Sequence, residues 1–327
     1  MLLNLLLTTV LLLRTVVTIA AGAEFYDATL KTFLSLTDTG DSNLLLPFNK
    51  TRIPGSSGSE DIQKFIISHF KLLHDDWLIE TDPFQENGYN FTNLVFTLGR
   101  NASSYLVLAA HYDSKILPTG FIGGTDSAAP CAILLYISSF IDWFCMRSSL
   151  FEDSALFKGP SGIKIVFFDG EEAINQWSEQ DSIYGARHLA SMWIDEEKID
   201  EIDLFILMDL LGSEEDIKVP SYHESSHFFY QFLSAIERSL IGGPYGWNVP
   251  YFDDPELEFT ALGKPLIEDD HKPFLAEGVP VLHLIPFPFP STWHTLNDDF
   301  DHLSEIEIHK WAVLLCEFII QYSIDSY

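Results

Sequence analysis

Asp169, Glu171 and Glu172 stand within four positions at the end of the stretch IKIVFFDGEE, Ile163–Glu172. Carboxylates that close repel, and any drawn out of water need a cation or a hydrogen-bond donor. The residues before them are apolar apart from Lys164, so the segment reads as a buried strand running into acids. The pattern recurs along the chain. Tyr105–Ala110 ends in His111-Tyr112-Asp113, Leu204–Met208 ends in Asp209, and Val279–Ile285 is followed within ten residues by Trp293-His294. A further cluster, Gly123-Gly124-Thr125-Asp126-Ser127, directly precedes an apolar helical stretch. Four strands thus carry His, Asp or Glu to one rim, and a divalent metal would balance the carboxylates gathered there. Mixed imidazole and carboxylate ligands suit zinc better than calcium or magnesium. Adjacent Glu171 and Glu172 point apart, so one can bind metal while the other handles protons. Asp113 and Asp169 read as turn-fixing residues and His283 as a hydrogen-bonded core residue. His188, His223, His227 and His309 read as surface or helix-face residues without a role.

Elements must position these groups. The strands expected are Asn93–Leu98, Tyr105–Ala110, Ile163–Phe168, Leu204–Met208 and Val279–Ile285. Most are continuous apolar runs, as in strands covered on both faces. The helices expected are Asp27–Leu36, Glu60–Leu73 with Ser59 as N-cap, Ala129–Ile141, Ser182–Trp193, His227–Leu240 and Ser304–Tyr322. Strands alternating with helices argue for a single α/β domain with a mostly parallel sheet and helices on both faces. Ligands of such sheets bind beyond the carboxyl ends of the strands. Residues 49–59, 145–162, 212–225 and 242–265 read as loops.

The 327 residues include 48 acidic and 18 basic ones, a formal charge of −30. That excludes a nucleic-acid footprint and disfavours anionic membranes. It leaves cationic partners and metal ions as the natural company. Residues 2–13 are apolar but for Asn4 and two Thr, and Ala20-Ala21-Gly22-Ala23 follows. This is the layout of a signal peptide over residues 1–23, with residues 24–327 as one catalytic domain. No Lys or Arg precedes the apolar run, and Arg14 leaves it short for a membrane anchor, the alternative. No later stretch reads as long and apolar enough to span a bilayer. Sequons at Asn49, Asn90 and Asn101 agree with a chain that is secreted or held in the secretory pathway. Three cysteines, Cys131, Cys145 and Cys316, leave at least one thiol without an internal partner and make no disulfide scaffold.

The segments RIPGSSGS, AAHYDSK, GGTDSAAPCAILL, FFDGEEAINQWSEQDSIYGARHLA, LMDLLG and DDHKPFLAEGVPVLHLIPFPFPSTWHTLNDD occur in order from Arg52 onward. Together they resemble the glutaminyl cyclases (glutaminyl-peptide cyclotransferases) of animals. The resemblance implies a zinc-aminopeptidase fold, with a mixed six-stranded sheet between helices. It implies one zinc per chain on Asp126, Glu172 and His294, and Glu171 as the catalytic proton carrier. It implies Asp209 and Asp269 as two further acids of the site. Trp177, Phe289 and Trp293 are implied as the walls of a hydrophobic pocket, whereas Trp77, Trp193 and Trp311 read as core. Two positions depart from the family pattern. Ala110 replaces the cysteine before HYDS that pairs with the cysteine after TDSA, so Cys131 lacks that partner, at roughly 2–4 kcal/mol of stability. Glu268 stands where a glutamine precedes DDH.

The implied reaction is cyclisation of N-terminal glutaminyl residues, and more slowly glutamyl ones, to pyroglutamate. The substrates are peptides or proteins beginning with Gln, and the enzyme is expected to be monomeric, with no nucleic acid or stable membrane partner. Asp209 and Asp269 are expected to share a proton, since two close carboxylates rarely both ionise. The alternative is an aminopeptidase with one or two zinc ions. His111, Asp126, Glu172, Asp209 and His294 supply the five ligand types that a two-zinc site needs. A non-catalytic binding protein on the same fold would have lost ligands, and none is missing.

Overall fold

The structure, a computed structural model, describes residues 22–148, 161–243, 245 and 247–325. The leader assigned to residues 1–23 therefore lies, apart from Gly22 and Ala23, outside the described residues, as does most of the expected loop 145–162. Six strands form one mixed sheet: β1 (Leu78–Glu86), β2 (Tyr89–Leu98), β3 (Ser104–His111), β4 (Ser161–Phe168), β5 (Ile202–Met208) and β6 (Val281–Leu284). Their order is β1-β2-β4-β3-β5-β6. β4, β3, β5 and β6 run parallel, and β1 and β2 are antiparallel to their neighbours.

The helices are α1 (residues 22–33), α2 (Ser57–Leu72), α3 (Ala129–Ser148), α4 (Tyr184–Asp195), α5 (His227–Leu240), α6 (Lys272–Ala276) and α7 (Glu305–Asp325). Side chains of a strand alternate between faces, and β3 shows the result. Leu106, Leu108 and Ala110 join the core formed with α2, α3, α5 and α7. Tyr105, Val107 and Ala109 join a second core with α4 and α6. The sheet is therefore covered on both sides, which is why its central strands read as unbroken apolar runs.

α3 is apolar around its whole circumference because it lies between β3 and α7. Gly124–Arg147 is long and apolar enough to cross a membrane, which corrects the reading that no later stretch is; 78% of its most apolar window is buried within the fold. Two details of the helix reading also change. Ser56, not Ser59, caps α2, its hydroxyl accepting a bond from Ser59 N. α6 was not expected at all, being short and led by His271-Lys272-Pro273. β1 was missed as well. Its half-exposed pattern and Pro83 mark an edge strand rather than a buried one.

Asn49, Asn90 and Asn101 are all exposed. Cys131 and Cys316 are buried free thiols, so no Cys145–Cys316 bridge forms. The Cys131 thiol donates instead to the His111 carbonyl, at 3.1 Å.

Candidate active site

Strand register brings the chemistry to one rim. β3 and β4 pair in parallel with His111 opposite Phe168, so the chain leaves β4 into Asp169-Gly170-Glu171-Glu172 beside His111. β5 pairs with the other edge of β3, Leu207 opposite Ala109, which sets Asp209 next to His111. The turns are then fixed by carboxylates. Asp113 accepts the backbone N–H groups of Glu171 (3.1 Å) and Glu172 (3.3 Å). Asp169 accepts Thr92 N at 2.8 Å. Gly170 has φ 74°, and a Cβ there would lie 2.4 Å from Phe91 Cε1, so the turn requires glycine. Asp126 rides on a loop held by Asp298, whose Oδ1 accepts Thr125 N (2.8 Å) and Thr125 Oγ1 (2.9 Å). Arg52, fully buried, ties this loop to β3 by donating to the carbonyls of Tyr112 (2.7 Å) and Gly123 (3.3 Å).

Two sets of ligand-type side chains result, and they share Asp126. In the first, Asp126, Glu172 and His294 each offer a ligand atom within 4.8 Å of the others. His294 Nε2 stands 3.5 Å from both Asp126 Oδ2 and Glu172 Oε1. Glu172 Oε1 is buried without a hydrogen-bond partner among the described residues. The second set is His111, Asp126 and Asp209, and its members are already joined. His111 Nε2 lies 3.0 Å from Asp126 Oδ1 and 3.5 Å from Asp209 Oδ1, and His111 Nδ1 lies 3.2 Å from Asp113 Oδ1. Asp209 also accepts from the Ser127 hydroxyl and from Leu210 N.

The electrostatics follow from burial. Desolvation pushes the Glu171 carboxyl well above its ordinary range; Glu172, Asp269 and Asp270 add to the rise, and His111 opposes it. Desolvation and the charge of Glu172 likewise raise Asp126. Asp209 goes the other way. Burial works to raise it, but the bonds and charge of His111 and the Ser127 hydroxyl outweigh that and hold it below the usual value. Burial also opposes the charge on His111, yet Asp113, Asp126 and Asp209 raise it well above an ordinary imidazole. Lys115 Nζ reaches Glu172 Oε2 at 2.8 Å. A buried carboxylate surplus with an orphaned oxygen and a facing imidazole is a donor set that fits a divalent cation with three protein ligands.

These groups border a cavity of about 590 Å³ lined by Glu171, Asp209, Asp269, Trp177, Phe289 and Trp293 among others. Trp177 and Trp293 are 36% and 39% exposed, whereas Trp77, Trp193 and Trp311 are at most 5% exposed and belong to the core. Phe289 packs against Trp293 with ring centroids 4.9 Å apart, and Trp293 stacks on the His294 imidazole at 3.9 Å. His294 itself has φ 56°, a strained left-handed conformation for a non-glycine residue. Glu268 accepts Trp177 Nε1–H at 3.2 Å and pairs with Lys272 at 2.5 Å. The side chain at position 268 therefore touches the tryptophan of the cavity wall.

Eight of the nine residues named for the site line this cavity, and the ninth, Glu172, stands behind His294 at 3.5 Å. Asp209 and Asp269 are each held by partners of their own. Asp269 takes His283 Nε2–H (2.7 Å) and Asp270 N (2.6 Å), while Asp209 has His111 and Ser127. Sequence reasoning also missed Ser127, Lys115, Asp298 and Asp270. Lys115 and Ser127 lay inside the quoted motifs HYDSK and TDSA. Asp270, fully buried with both oxygens unpartnered among the described residues, carried no signal beyond its place in DDH. His223, expected at the surface, packs its ring 5.2 Å from that of His271.

The sequence matches the Peptidase family M28 over residues 93–319. It is 50% identical over 300 residues to the Uncharacterized protein YFR018C of Saccharomyces cerevisiae, covering 85% of this chain and 83% of that one. It is 37% identical over 283 residues to the glutaminyl-peptide cyclotransferase of Drosophila melanogaster, covering 83% of this chain and 77% of the relative. The crystal structure of Macrostomum lignano glutaminyl cyclase aligns with a TM-score of 0.73 and 28% identity over 92% of this chain and 94% of that one. The mixed six-stranded sheet, the carboxylate-rich rim and these likenesses agree: the chain belongs to peptidase family M28 and, within it, to the glutaminyl-peptide cyclotransferase family.

Proposed function

We propose that this enzyme cyclises N-terminal glutaminyl residues of peptides and proteins, and more slowly glutamyl ones, to pyroglutamate, releasing ammonia from glutamine. One observation carries the reading: a buried acid, Glu171, lines the same aromatic-walled cavity as Asp126 and His294 of the three-ligand cation set. Asp126, Glu172 and His294 would hold zinc. Zinc bound there supplies Lewis acidity toward the side-chain carbonyl of the substrate.

The rest falls to the chain's own residues. The α-amine and the γ-carbonyl belong to one residue, so the pocket need only fold the substrate and manage protons. Trp177, Phe289 and Trp293 grip the side chain and exclude water, which would otherwise compete with the amine. Glu171 Oε takes a proton from the α-ammonium and returns it to the departing nitrogen. Asp269, oriented by His283, and Asp209, oriented by His111 and Ser127, accept hydrogen bonds from that nitrogen. The leader at residues 1–23 and the exposed sequons support action in the secretory pathway.

A two-metal aminopeptidase is the second reading, and the His111–Asp126–Asp209 set favours it. Those three groups are already satisfied by one another, whereas Glu172 Oε1 is not. Gln-initiated and Leu-initiated peptides offered to one preparation separate the two. Pyroglutamate from the first with the second untouched supports cyclisation. Free leucine without pyroglutamate overturns it. Metal analysis of the same sample gives the ion and its ratio to protein.

A further inference from the structure

Asp269 is joined through His283 to a second cluster that the reaction does not use. His283 lies in β6, His271 immediately precedes α6, and His223 comes from the segment before α5. The rings of His271 and His283 are 4.2 Å apart, and those of His223 and His271 are 5.2 Å apart. One ring nitrogen from each lies within 4.8 Å of the other two. His271 and His283 are 2% and 3% exposed, and His223 is half-buried.

Three imidazoles in contact must be explained by what their nitrogens do. His271 Nδ1 and His223 Nε2 are buried and have no hydrogen-bond partner among the described residues. Such orphaned polar atoms are costly, and native structures rarely tolerate two so close together. His283 gives Nε2–H to Asp269 at 2.7 Å, so Nδ1 is the nitrogen it has to offer. A carboxylate behind a histidine in this way fixes the tautomer and makes the opposite nitrogen a better ligand. Burial favours the neutral form of the other two rings, lowering His271 well below an ordinary imidazole and taking His223 to about 4. Neutral imidazole is what a metal binds. An all-nitrogen set suits borderline ions such as zinc and copper, and it rejects calcium and magnesium, which require oxygen. Half-buried His223 provides the way in.

We propose that His223, His271 and His283 form a second metal site, distinct from the Asp126–Glu172–His294 set, that takes Zn²⁺ or Cu²⁺ on three imidazole nitrogens. It does not depend on the proposed cyclisation. Two measurements test it on the full chain. Copper(II) added to the wild-type protein is expected to give an electron paramagnetic resonance spectrum with three nitrogen couplings. The rim sets offer one imidazole each, His294 and His111, so a spectrum with fewer than three nitrogens overturns the proposal. In the second, chelator-stripped protein is titrated with zinc chloride by calorimetry. His223→Ala and the less disruptive His223→Gln should each bind one equivalent fewer than wild type. His294→Ala should lose a different equivalent, so that the double variant His223→Ala/His294→Ala loses both. A His223 variant that titrates like wild type, with circular dichroism showing an intact fold, overturns the site whatever the activity of the enzyme.

Discussion

Two three-residue sets share Asp126, and they differ in how far the protein has already satisfied them. His111, Asp126 and Asp209 form a closed network: His111 bridges three carboxylates, and Ser127 and Leu210 N complete Asp209. Asp126, Glu172 and His294 form an open one, held at 3.5 Å, with an orphaned oxygen on Glu172. The same residue types at the same rim can thus either neutralise one another or wait for a cation. What decides is the number of hydrogen-bond partners supplied from behind. Asp113, accepting from His111, and Ser127, donating to Asp209, stand behind the closed set. Among the described residues the open set has Lys115.

Breaking the shared residue should have the largest effect. Asp126→Ala removes a member of both sets, and both metal retention and turnover are expected to fall below detection in metal analysis and pyroglutamate assays. Glu171→Gln should cost ~10²–10⁴-fold in turnover while metal content stays at the wild-type level, because Glu171 belongs to neither set. Full activity in that variant would remove Glu171 from the mechanism. His111→Asn attacks the closed set alone. If that set only supports Asp126 and Asp209, metal affinity or turnover should fall about 10–100-fold, as for residues that orient ligands. Retention of one metal in this variant separates support from ligation. Glu268→Ala leaves both sets untouched and frees Trp177. Loss of one exposed hydrogen bond, about 1 kcal/mol, predicts roughly a fivefold rise in KM with kcat unchanged.

The smallest effect lies far from either set. His69 is half-buried, its Nε2 2.8 Å from the Ser138 hydroxyl, and desolvation takes it to about 4. An unfolded imidazole titrates near 6.5. The unfolded chain therefore binds the extra proton between those values. Stability from this residue is complete above about pH 6.5 and is lost as pH falls toward 4. Near pH 5.5 the loss is on the order of 1 kcal/mol. Denaturant unfolding of wild type and His69→Gln at both ends of that window measures it, and equal pH slopes would contradict it.

Much of this was legible in the sequence, because a strand buried on both faces leaves an unbroken apolar run and its polar end stands out. Tyr105–Ala110 into His111 and Ile163–Phe168 into Asp169 show this directly. β1 was not legible because an edge strand alternates and tolerates Pro83. The fates of Asp209 and Asp269 were not legible either. Which carboxylate receives which donor depends on pairing across the fold, Asp209 with Ser127 and Asp269 with His283, and no local spacing encodes it. His223 was misread for the same reason. Its neighbour His271 is distant in sequence, and the closeness of their rings appears only once the chain has folded.

Cys131 offers its thiol to the carbonyl of His111, where relatives of the animal type are expected to carry a bridge between this position and the one before HYDS. The loop bearing Asp126 is consequently anchored by Arg52 and Asp298 rather than by a sulfur–sulfur bond. A thiol reductant has nothing to cut at that spot. Catalysis should run equally well in oxidising and in strongly reducing media.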